Sequence, residues 1–350
     1  MSIDLPLSAT PRVSVIIPSS TRHDLLHACL KSLARFGPTT IPYETIVVLN
    51  QATTEAETQL RGAANGIQVV SSPVNLGLAG AGNRGRALAR GELLILLHDD
   101  AEIEPGWMEA LVETADAHPG AGAIGGKVLY PDGRLQWAGG ILWRNGLASW
   151  PWIGESPPPT AFDRLRAVDF CGTSSLLVRA AIWDHIGGFD EQFYPVYYVD
   201  VDLAMSIHKL GFVVLYQPNS RIRHHLAASS NSSFRDFLLH RNRFLLLKKW
   251  GAALENHEPH ENSPAAVERA VARAEAFADQ CRRKGSVTIE HSGRPTTVVE
   301  PTYSHYTKKN RALQKAYVAY RRRRLLRTML ITKPRQYCRE LLKGVARHER

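Results

Sequence analysis

The sequence predicts an α/β protein with a mostly parallel sheet flanked by helices, followed by a helical and basic C-terminal extension. In the first hundred residues, short β-rich apolar runs alternate with stretches whose apolar residues repeat at helical spacing. Such alternation is typical of parallel strands joined by right-handed crossovers. Residues 306–350 contain 15 Lys and Arg against 2 Asp and Glu, which sets the extension apart from the rest of the chain.

Strands and helices follow one another in a regular order. Apolar, β-rich runs predict strands at residues 13–18, 44–49, 67–70 and 93–97. Helical spacing of apolar residues predicts helices at residues 25–36, 79–89, 107–117 and 265–280. The loops after Pro18, Asn50 and Leu97 leave the carboxyl ends of their strands, where open α/β sheets bind ligands. We therefore expect a ligand site at this edge of the sheet.

Acidic side chains mark the third of these loops. His98, Asp99 and Asp100 directly follow the strand predicted at 93–97. Adjacent carboxylates at the mouth of a sheet are hard oxygen ligands that can hold Mg²⁺ or Mn²⁺ against a diphosphate. An ordinary strand-ending turn is the alternative, because Asp favours turns through local hydrogen bonds. The motifs around the triplet favour the metal site.

Two further segments suit a binding site. Residues 75–85 hold four glycines and two asparagines ahead of a helix. Glycines let a backbone approach a ligand closely, and N–H groups at a helix start favour phosphate. Residues 144–168 include Trp150, Trp152 and three consecutive prolines, which predicts a long loop able to cover the site.

Composition bears on compartment and partners. No apolar stretch reaches the ~18 residues of a membrane span, and the N-terminus lacks a basic region followed by an apolar one, so we expect a cytoplasmic protein. The four cysteines are widely separated and have no metal-ligand spacing, which predicts free thiols.

The basic extension predicts a surface for an anionic partner. Its charge suits anionic lipid head groups and nucleic-acid phosphates alike. Apolar residues, among them Tyr317 and Tyr320, interleave with its arginines, which favours an amphipathic helix at the inner face of the cell membrane over nucleic acid. A solvated or packed helical face is the alternative, and the same helical region offers a surface for a homodimer.

Six segments together resemble the family 2 inverting glycosyltransferases, most closely the bacterial rhamnosyltransferase-like members. In chain order they read VSVIIPSSTR, ETIVVLN, NLGLAGAGNRGRALARGELLILLHDD, FCGTSSLLVRAAIWDHIGGFDEQF, YYVDVDL and RIRHHLAASSN. The resemblance implies a GT-A fold with a Rossmann-like sheet. Residues 1–250 would form the glycosyltransferase domain, with a nucleotide-sugar-binding half at 12–105 and an acceptor half at 106–250. Residues 251–350 would form the mainly helical extension.

The resemblance also assigns a donor site. Pro18, Ser19 and Asn50 would line the nucleobase pocket, and Asn83 would lie near the ribose or the diphosphate. Beyond the six segments, Arg241 and Arg243 in the run His240-Arg241-Asn242-Arg243 match a family region near the diphosphate, where guanidinium groups can neutralise a leaving group. A charged helix face is the alternative for these two arginines.

The triplet after residue 97 corresponds to the DXD motif of the family. His98 would replace a ribose contact, Asp100 would bind the metal and Asp99 would support both. His224 falls where relatives place a metal-binding histidine, and a neutral imidazole suits a borderline divalent ion. His225 is the alternative ligand, because neighbours on a strand point to opposite faces.

Asp200 matches the aspartate that serves as general base on the acceptor hydroxyl. Proton removal of this kind contributes ~10² to 10⁴-fold to a rate, and direct attack would invert the anomeric configuration. The alternative role for Asp200 is to cap the helix predicted at 203–210, and Asp202 is better placed for that cap.

These residues imply an enzyme that moves a sugar, with rhamnose as first guess, from a dTDP- or UDP-sugar to a hydroxyl of a cell-surface glycan or lipid-linked glycan. Mg²⁺ or Mn²⁺ would be the cofactor. Leu49, His98 and Val199 depart from the acidic residues usual in the family. The runner-up interpretation is therefore a catalytically inactive protein of the same fold that binds nucleotide-sugars or glycans.

Overall fold

The structure is a computed structural model, and it describes residues 2–20, 22–155, 159–160, 162–225, 232–285, 289 and 303–332. The strands within these ranges are β1 (Ile3–Asp4), β2 (Val13–Ser19), β3 (Tyr43–Asn50), β4 (Ala64–Asn65), β5 (Ile67–Ser72), β6 (Leu93–Leu97), β7 (Ala101–Ile103), β8 (Ala121–Leu129), β9 (Leu135–Trp137), β10 (Ile141–Leu142), β11 (Ala148–Ser149), β12 (Arg166–Val168), β13 (Ser175–Arg179) and β14 (Val213–His224). The α-helices are α1 (His23–Phe36), α2 (Thr54–Ala63), α3 (Gly77–Leu88), α4 (Trp107–Ala117), α5 (Ala180–Ile186), α6 (Val199–Lys209), α7 (Ser232–Leu254), α8 (Pro264–Lys284) and α9 (Tyr303–Thr332).

One ten-stranded sheet dominates the described part of the chain. Its order is β12-β14-β8-β13-β6-β2-β3-β5, with β7 paired to β14 and β9 paired to β8. Strands β6, β2, β3 and β5 are mutually parallel, as are β8 and β14, whereas β13 runs antiparallel between β6 and β8. The predicted α/β class is confirmed, and the parallel pairing holds fully only in the first half.

The central strands are covered on both faces. All eight residues of β3 and all five of β6 are buried, as the continuous apolar runs predict for a parallel sheet. Ile17 packs in a core with Leu30 of α1 and Leu111 of α4. Its neighbour Ile16 faces the opposite helix, because a Cβ placed on Gly85 of α3 would lie 2.3 Å from the Ile16 side chain.

The glycines of α3 serve helix packing. Gly82 and Gly85 leave room for Phe189 and Ile16, and an added Cβ would overlap either side chain. The sequence predicts a phosphate-binding role for these glycines and does not predict their packing role. Spacing alone does not distinguish a glycine in a helix–sheet contact from one in a ligand contact.

The segment predicted as one long loop is more regular than expected. Strands β10 and β11 pair antiparallel across a turn at Asn145 and Gly146, and β12 joins the large sheet beside β14. The Trp143 indole N–H bonds the Ser149 hydroxyl across this hairpin at 2.8 Å. The three consecutive prolines include residues 157 and 158, which lie outside the described residues.

The chain divides into two compact units. The first comprises Met1–Ala227 and Asn242–Glu300 and contains the sheet and α8, and the second comprises Ala228–Arg241 and Pro301–Arg350. In the second unit the Tyr317 ring lies 4.9 Å from that of Phe234, and the Tyr320 ring lies 5.3 Å from that of Phe237. Two aromatic residues of the predicted interfacial helix face are thus packed against protein.

None of the described helices has both the length and the hydropathy that crossing a bilayer requires. Cys29 and Cys171 are free and buried, and Cys281 is also free, as the cysteine spacing predicts; Cys338 lies outside the described residues.

Candidate active site

The loops that follow β2 and β6 meet at the carboxyl edge of the parallel strands. The Ser19 hydroxyl donates to Oδ2 of Asp99 at 2.7 Å, and the Ser20 backbone N–H approaches the same oxygen at 3.3 Å. Burial raises the pKa of Asp99, while the Ser19 hydrogen bond opposes that rise. Asp99 therefore ties the two loops together at the edge where the strand order predicts a ligand site.

Three donor atoms converge beside this pair. Oδ1 of Asp100 lies 2.9 Å from Nε2 of His224, and Nδ1 of His98 lies 3.3 Å from the same nitrogen and 3.9 Å from Oδ1. These residues form the one group in the described part of the chain whose His, Cys, Asp or Glu donors are clustered closely enough for a metal ion. We name His98, Asp100 and His224 the donor cluster.

Strand pairing brings the distant histidine to the loop. Strand β7 pairs antiparallel with the end of β14, and this register sets His224 opposite Ala101, directly after Asp100. The adjacent His225 turns the other way, with Nε2 at 2.7 Å from Glu102. Of the two histidines left open by the sequence, His224 is the one that faces Asp100.

The His224 ring is held by its neighbours. Its Nδ1 lies 2.6 Å from Oε1 of Gln136, while Nε2 of Gln136 donates to the His224 carbonyl at 3.3 Å. The Trp137 ring covers His224 at a centroid distance of 5.2 Å. Because an amide oxygen only accepts, Nδ1 carries the proton and the lone pair of a neutral His224 points from Nε2 to Asp100.

His98 is desolvated by the protein around it, although its side chain keeps more solvent exposure than those of Asp100 and His224. Burial lowers its pKa to about 4, and the nearby His224 adds to the effect, so the His98 ring is neutral at physiological pH. Its Nε2 lies 3.1 Å from the Thr173 hydroxyl. Thr173 was not predicted, since it belongs to a segment 75 residues further along the chain.

Asp200 lies in the first turn of α6. The Val201 backbone N–H donates to Asp200 Oδ1 at 2.9 Å. The side chain keeps partial solvent contact, yet the surrounding protein desolvates it and raises its pKa to about 6. Burial raises the pKa of Cys171 and the Asp200 charge adds to the rise, so the Asp200 carboxylate lies within electrostatic reach of Cys171.

The backbone that leads into Asp200 is unusual. Tyr197 and Tyr198 both adopt left-handed φ angles, of 73° and 68°, which side-chain-bearing residues rarely do. The Asn242 amide N–H group lies within hydrogen-bond distance of the carbonyls of Phe193, Val196 and Tyr197, at 2.9–3.1 Å. Sequence reasoning singled out the arginines on either side of Asn242 and missed the asparagine that fixes this loop.

Asp202 has a structural role, but it is not a helix cap. Helix α6 begins at Val199, and its N-cap residue is Tyr198, which makes no side-chain capping bond. The buried Asp202 carboxylate instead accepts from Lys249 at 2.9 Å and from the Trp250 indole at 2.7 Å. The predicted cap was wrong because the helix begins four residues earlier than its apolar spacing indicates.

Two predicted donor-site asparagines are engaged inside the protein. Asn50 Oδ1 accepts from the Leu76 backbone at 2.6 Å, and its amide donates to Asn75 at 3.1 Å. The Asn83 amide pairs with both the N–H and the carbonyl of Phe189, at 2.9 and 3.0 Å. Asn83 therefore holds the loop after α5, and a diphosphate contact through its side chain would require this pair to break.

The remaining predicted residues differ in position. Pro18 lies in β2 on the strand that delivers Ser19 to Asp99. Arg243 donates from Nε to the Asn145 carbonyl at 2.8 Å and lies close enough to Tyr198 to lower its pKa, although burial raises that pKa overall. Arg241 belongs to the second compact unit, and burial lowers its pKa.

An aromatic platform extends from the donor cluster. The Trp150 ring stacks on Trp137 at 5.0 Å, and its edge meets Phe170 at 4.6 Å. Gly172 closes the gap beneath both indoles, because a Cβ there would lie 3.3 Å from each ring. Both tryptophans are partly exposed, so part of the indole pair is in contact with solvent.

The donor cluster fits a divalent cation. It combines a carboxylate oxygen with imidazole nitrogens, and this is the ligand set that borderline first-row ions accept. The Gln136 contact holds His224 as outer residues hold histidine ligands in metal sites generally. Asp100 and His224 would hold such an ion, and Ser19 and Asp99 lie on the same edge.

Comparison with known proteins agrees with this geometry. Residues 14–186 match the family described as glycosyl transferase family 2. A protein of Sinorhizobium fredii described as uncharacterized is 30% identical over 64% of this chain and 25% of its own length. The O-antigen biosynthesis protein of Myxococcus xanthus is 31% identical over 64% of this chain and 18% of its own length.

A third relative is the N-acetylglucosaminyl-diphospho-decaprenol L-rhamnosyltransferase of Mycobacterium tuberculosis. It is 33% identical over 39% of this chain and 48% of its own length. The chain thus spans a quarter or less of the first two relatives and about half of the third.

Solved structures share the fold. GalNAc-T7 with UDP, GalNAc and Mn²⁺ superposes with a TM-score of 0.53 at 13% identity, covering 77% of this chain and 55% of that one. A mannosyltransferase of Pyrobaculum calidifontis in complex with GDP-Man and Mn²⁺ gives 0.51 at 16% identity, covering 90% and 88%. With a GT-A fold and the family match over residues 14–186, this chain carries a glycosyl transferase family 2 domain.

Proposed function

We propose that this protein is a metal-dependent inverting glycosyltransferase that moves a sugar from a nucleoside-diphosphate donor to a hydroxyl of a glycan or lipid-linked glycan. One observation carries the proposal. Asp100 and His224 converge at the carboxyl edge of the sheet, and Asp200 lies within electrostatic reach of Cys171, two residues from the Thr173 that contacts His98. A cation site can stabilise a leaving diphosphate, and a carboxylate of raised pKa can accept the proton of an attacking hydroxyl.

The donor would bind along the edge formed by β2 and β6. Asp100 and His224 would hold the cation, which supplies a positive charge against the leaving diphosphate. Pro18 and Ser19, on the strand next to β6, support a nucleobase pocket at the same edge. Arg243, in the same compact unit as the sheet, is the candidate for a diphosphate contact.

Asp200 would act as the general base. Its pKa of about 6 leaves the carboxylate ionised at neutral pH and still basic enough to accept a proton. As the acceptor oxygen bonds to the anomeric carbon, the bond from that carbon to the diphosphate breaks, the nucleoside diphosphate leaves, and the hydroxyl proton passes to Asp200. A single displacement of this kind inverts the anomeric configuration.

The acceptor would be a sugar-containing molecule. The stacked Trp137 and Trp150 present a flat, partly exposed indole surface between the donor cluster and Gly172. Partly exposed aromatic rings offer an apolar face to a ligand while polar groups around them fix its orientation. A sugar ring has such an apolar face, which supports a glycan as acceptor.

Rhamnose from a dTDP donor is the proposed sugar, and a lipid-linked glycan the proposed acceptor. Support comes from the relative named as a rhamnosyltransferase that acts on a diphospho-decaprenol lipid. The basic residues 306–350 would suit an anionic membrane surface that carries such an acceptor. Arg321, Arg323 and Arg324 are exposed in the described part of this segment.

A donor panel tests the function. Binding and nucleoside diphosphate release are measured for UDP-, dTDP- and GDP-sugars with and without Mn²⁺, for the wild type and for Asp100→Ala. We expect one donor to be bound and turned over only with Mn²⁺, and Asp100→Ala to lose the Mn²⁺ effect. Binding of a donor without turnover on any glycan acceptor would favour the inactive binding protein instead, and no donor binding in the presence of metal would contradict both interpretations.

A further inference from the structure

We propose that His98 is a third ligand of the metal ion, so that the site holds its cation through two imidazoles and one carboxylate. This inference rests on the proposed metal-dependent function and deepens it. It gives His98 a different role from the ribose contact that the family resemblance implies. The observation behind it is the arrangement of three specific atoms, Nδ1 of His98, Oδ1 of Asp100 and Nε2 of His224.

The spacing of these atoms matches a coordination shell. The three separations are 2.9, 3.3 and 3.9 Å. A point equidistant from three atoms with these separations lies about 2 Å from each, which is the usual bond length from a first-row divalent cation to nitrogen or carboxylate oxygen. No rearrangement of the backbone is needed to place an ion there.

The second nitrogen of each ring is already occupied. His224 Nδ1 faces the carbonyl oxygen of Gln136 at 2.6 Å, and His98 Nε2 faces the Thr173 hydroxyl at 3.1 Å. If each of these outer nitrogens carries the ring proton, the lone pairs of both rings point toward Asp100. Two lone pairs facing a carboxylate repel one another unless a cation lies between them.

The His224 side of this site is buried, whereas the His98 side chain keeps 25% of its exposure. His224 is 2% exposed and Gln136 is 1% exposed, and the Trp137 ring lies against His224. Three preformed protein ligands can bind a metal ion without a nucleotide more readily than two protein ligands can. We therefore expect the protein to bind its cation before the donor arrives.

The ligand set also selects among cations. Mg²⁺ favours carboxylate, carbonyl and water oxygens, whereas imidazole suits first-row transition ions. A site with two imidazoles therefore holds Mn²⁺, Co²⁺ or Zn²⁺ in preference to Mg²⁺. An aspartate at position 98, as in the DXD motif, would shift that preference toward Mg²⁺.

Direct metal binding tests the inference. Calorimetric titration of the full chain with Mn²⁺ and with Mg²⁺, without nucleotide, should give one Mn²⁺ site at least about tenfold tighter than Mg²⁺. His98→Asn should weaken Mn²⁺ by about tenfold or more, and Thr173→Val by a smaller factor. The matched control is His225→Asn, because His225 faces Glu102, and its Mn²⁺ affinity should equal that of the wild type.

A spectroscopic readout on the wild type does not depend on how any variant folds. Electron spin-echo modulation of Mn²⁺ bound to the wild type should show two directly bound imidazole nitrogens, and the His98→Asn variant should show one. A single nitrogen in the wild type, or unchanged Mn²⁺ affinity in a folded His98→Asn variant, would overturn the inference. Donor turnover by the wild type is measured separately and reports on the proposed function. If the wild type transfers sugar but shows only one imidazole nitrogen bound to Mn²⁺, only the role of His98 is refuted.

Discussion

Gln136 holds His224 from two sides. Its Oε1 faces Nδ1 of the ring at 2.6 Å, and its Nε2 donates to the His224 backbone carbonyl at 3.3 Å. The backbone carbonyl only accepts, so it fixes which end of the amide meets the ring, and the ring proton then lies on Nδ1. A residue of β9 thereby turns the Nε2 lone pair of a β14 histidine toward Asp100.

Replacing this orienting residue should weaken metal binding. Gln136→Met keeps a side chain of similar size but removes the acceptor, so we expect Mn²⁺ affinity to fall by ~10- to 100-fold, as for outer-shell residues in other metal sites. Calorimetric titration measures the affinity, and the exposed Gln280→Met serves as the control. Unchanged affinity in Gln136→Met would show that the ring needs no such support.

The sequence predicts the metal-binding role of Asp100 and His224, but it does not predict the residues that hold the histidines in place. The pairing of Asp100 with His224 follows from the family resemblance, and the strand before Asp100 is predicted with its observed bounds, Leu93–Leu97, because a fully buried run has sharp ends. Gln136 and Thr173 could not be predicted, since each meets its histidine across 75 residues or more. Contacts of that kind come from sheet register, which no local pattern reveals.

The pH dependence of activity should report the ionisation of the Asp200 carboxyl. Its pKa is raised to about 6 by burial, so the base is protonated below that value and ionised above it. The kcat/KM for transfer should rise about tenfold per pH unit up to pH ~6 and level off above it. The measurement is a pH profile between 5 and 8 at saturating Mn²⁺. A profile that is flat from 5 to 7 would exclude Asp200 as the base.

The same Asp200 carboxyl should make the free energy of unfolding fall with rising pH, whereas kcat/KM rises. The folded state binds the Asp200 proton more tightly than the unfolded chain, whose carboxyl has its ordinary pKa near 3.8. The free energy of unfolding therefore falls as pH rises from about 4 to 6 on account of this group. Asp200→Asn should be more stable than the wild type at pH 7.5, on the order of 1–2 kcal/mol because the carboxylate keeps some solvent contact.

Chemical denaturation at pH 4.5 and 7.5 checks this expectation. The advantage of Asp200→Asn should be present at pH 7.5 and shrink at pH 4.5, where the wild-type carboxyl is largely neutral. A variant that is less stable than the wild type at both pH values would mean that the carboxylate has a structural partner beyond the Val201 N–H.

The aromatic platform should act on the acceptor. Trp150→Ala removes half of the indole stack beside Gly172, so we expect the KM for a glycan acceptor to rise about tenfold, in line with the energy of an aromatic contact. Donor hydrolysis without acceptor should change little. Trp152→Ala is the matched control, because that ring stacks on Phe162 instead. Equal effects of the two variants on the KM would argue against the platform.

One wrong expectation and one packing role that the sequence does not predict have a common physical reason. Asp202 was expected to cap a helix and instead accepts from Lys249 and Trp250, and the glycines of α3 make room for neighbouring side chains. Both residue types are versatile in local structure, and their use here is decided by partners distant in the chain. Helix α4, by contrast, has its predicted bounds, Trp107–Ala117, since Gly106 before it adopts a left-handed φ of 79°.

The proposed sugar transfer is tested most directly by one comparison. Wild type and Asp200→Asn are given the preferred donor, Mn²⁺ and a glycan acceptor, and donor binding is measured beside product formation. The account predicts that Asp200→Asn binds donor and Mn²⁺ as the wild type does while transfer falls by ~10²- to 10⁴-fold. Transfer at the wild-type rate in a folded Asp200→Asn variant would contradict it.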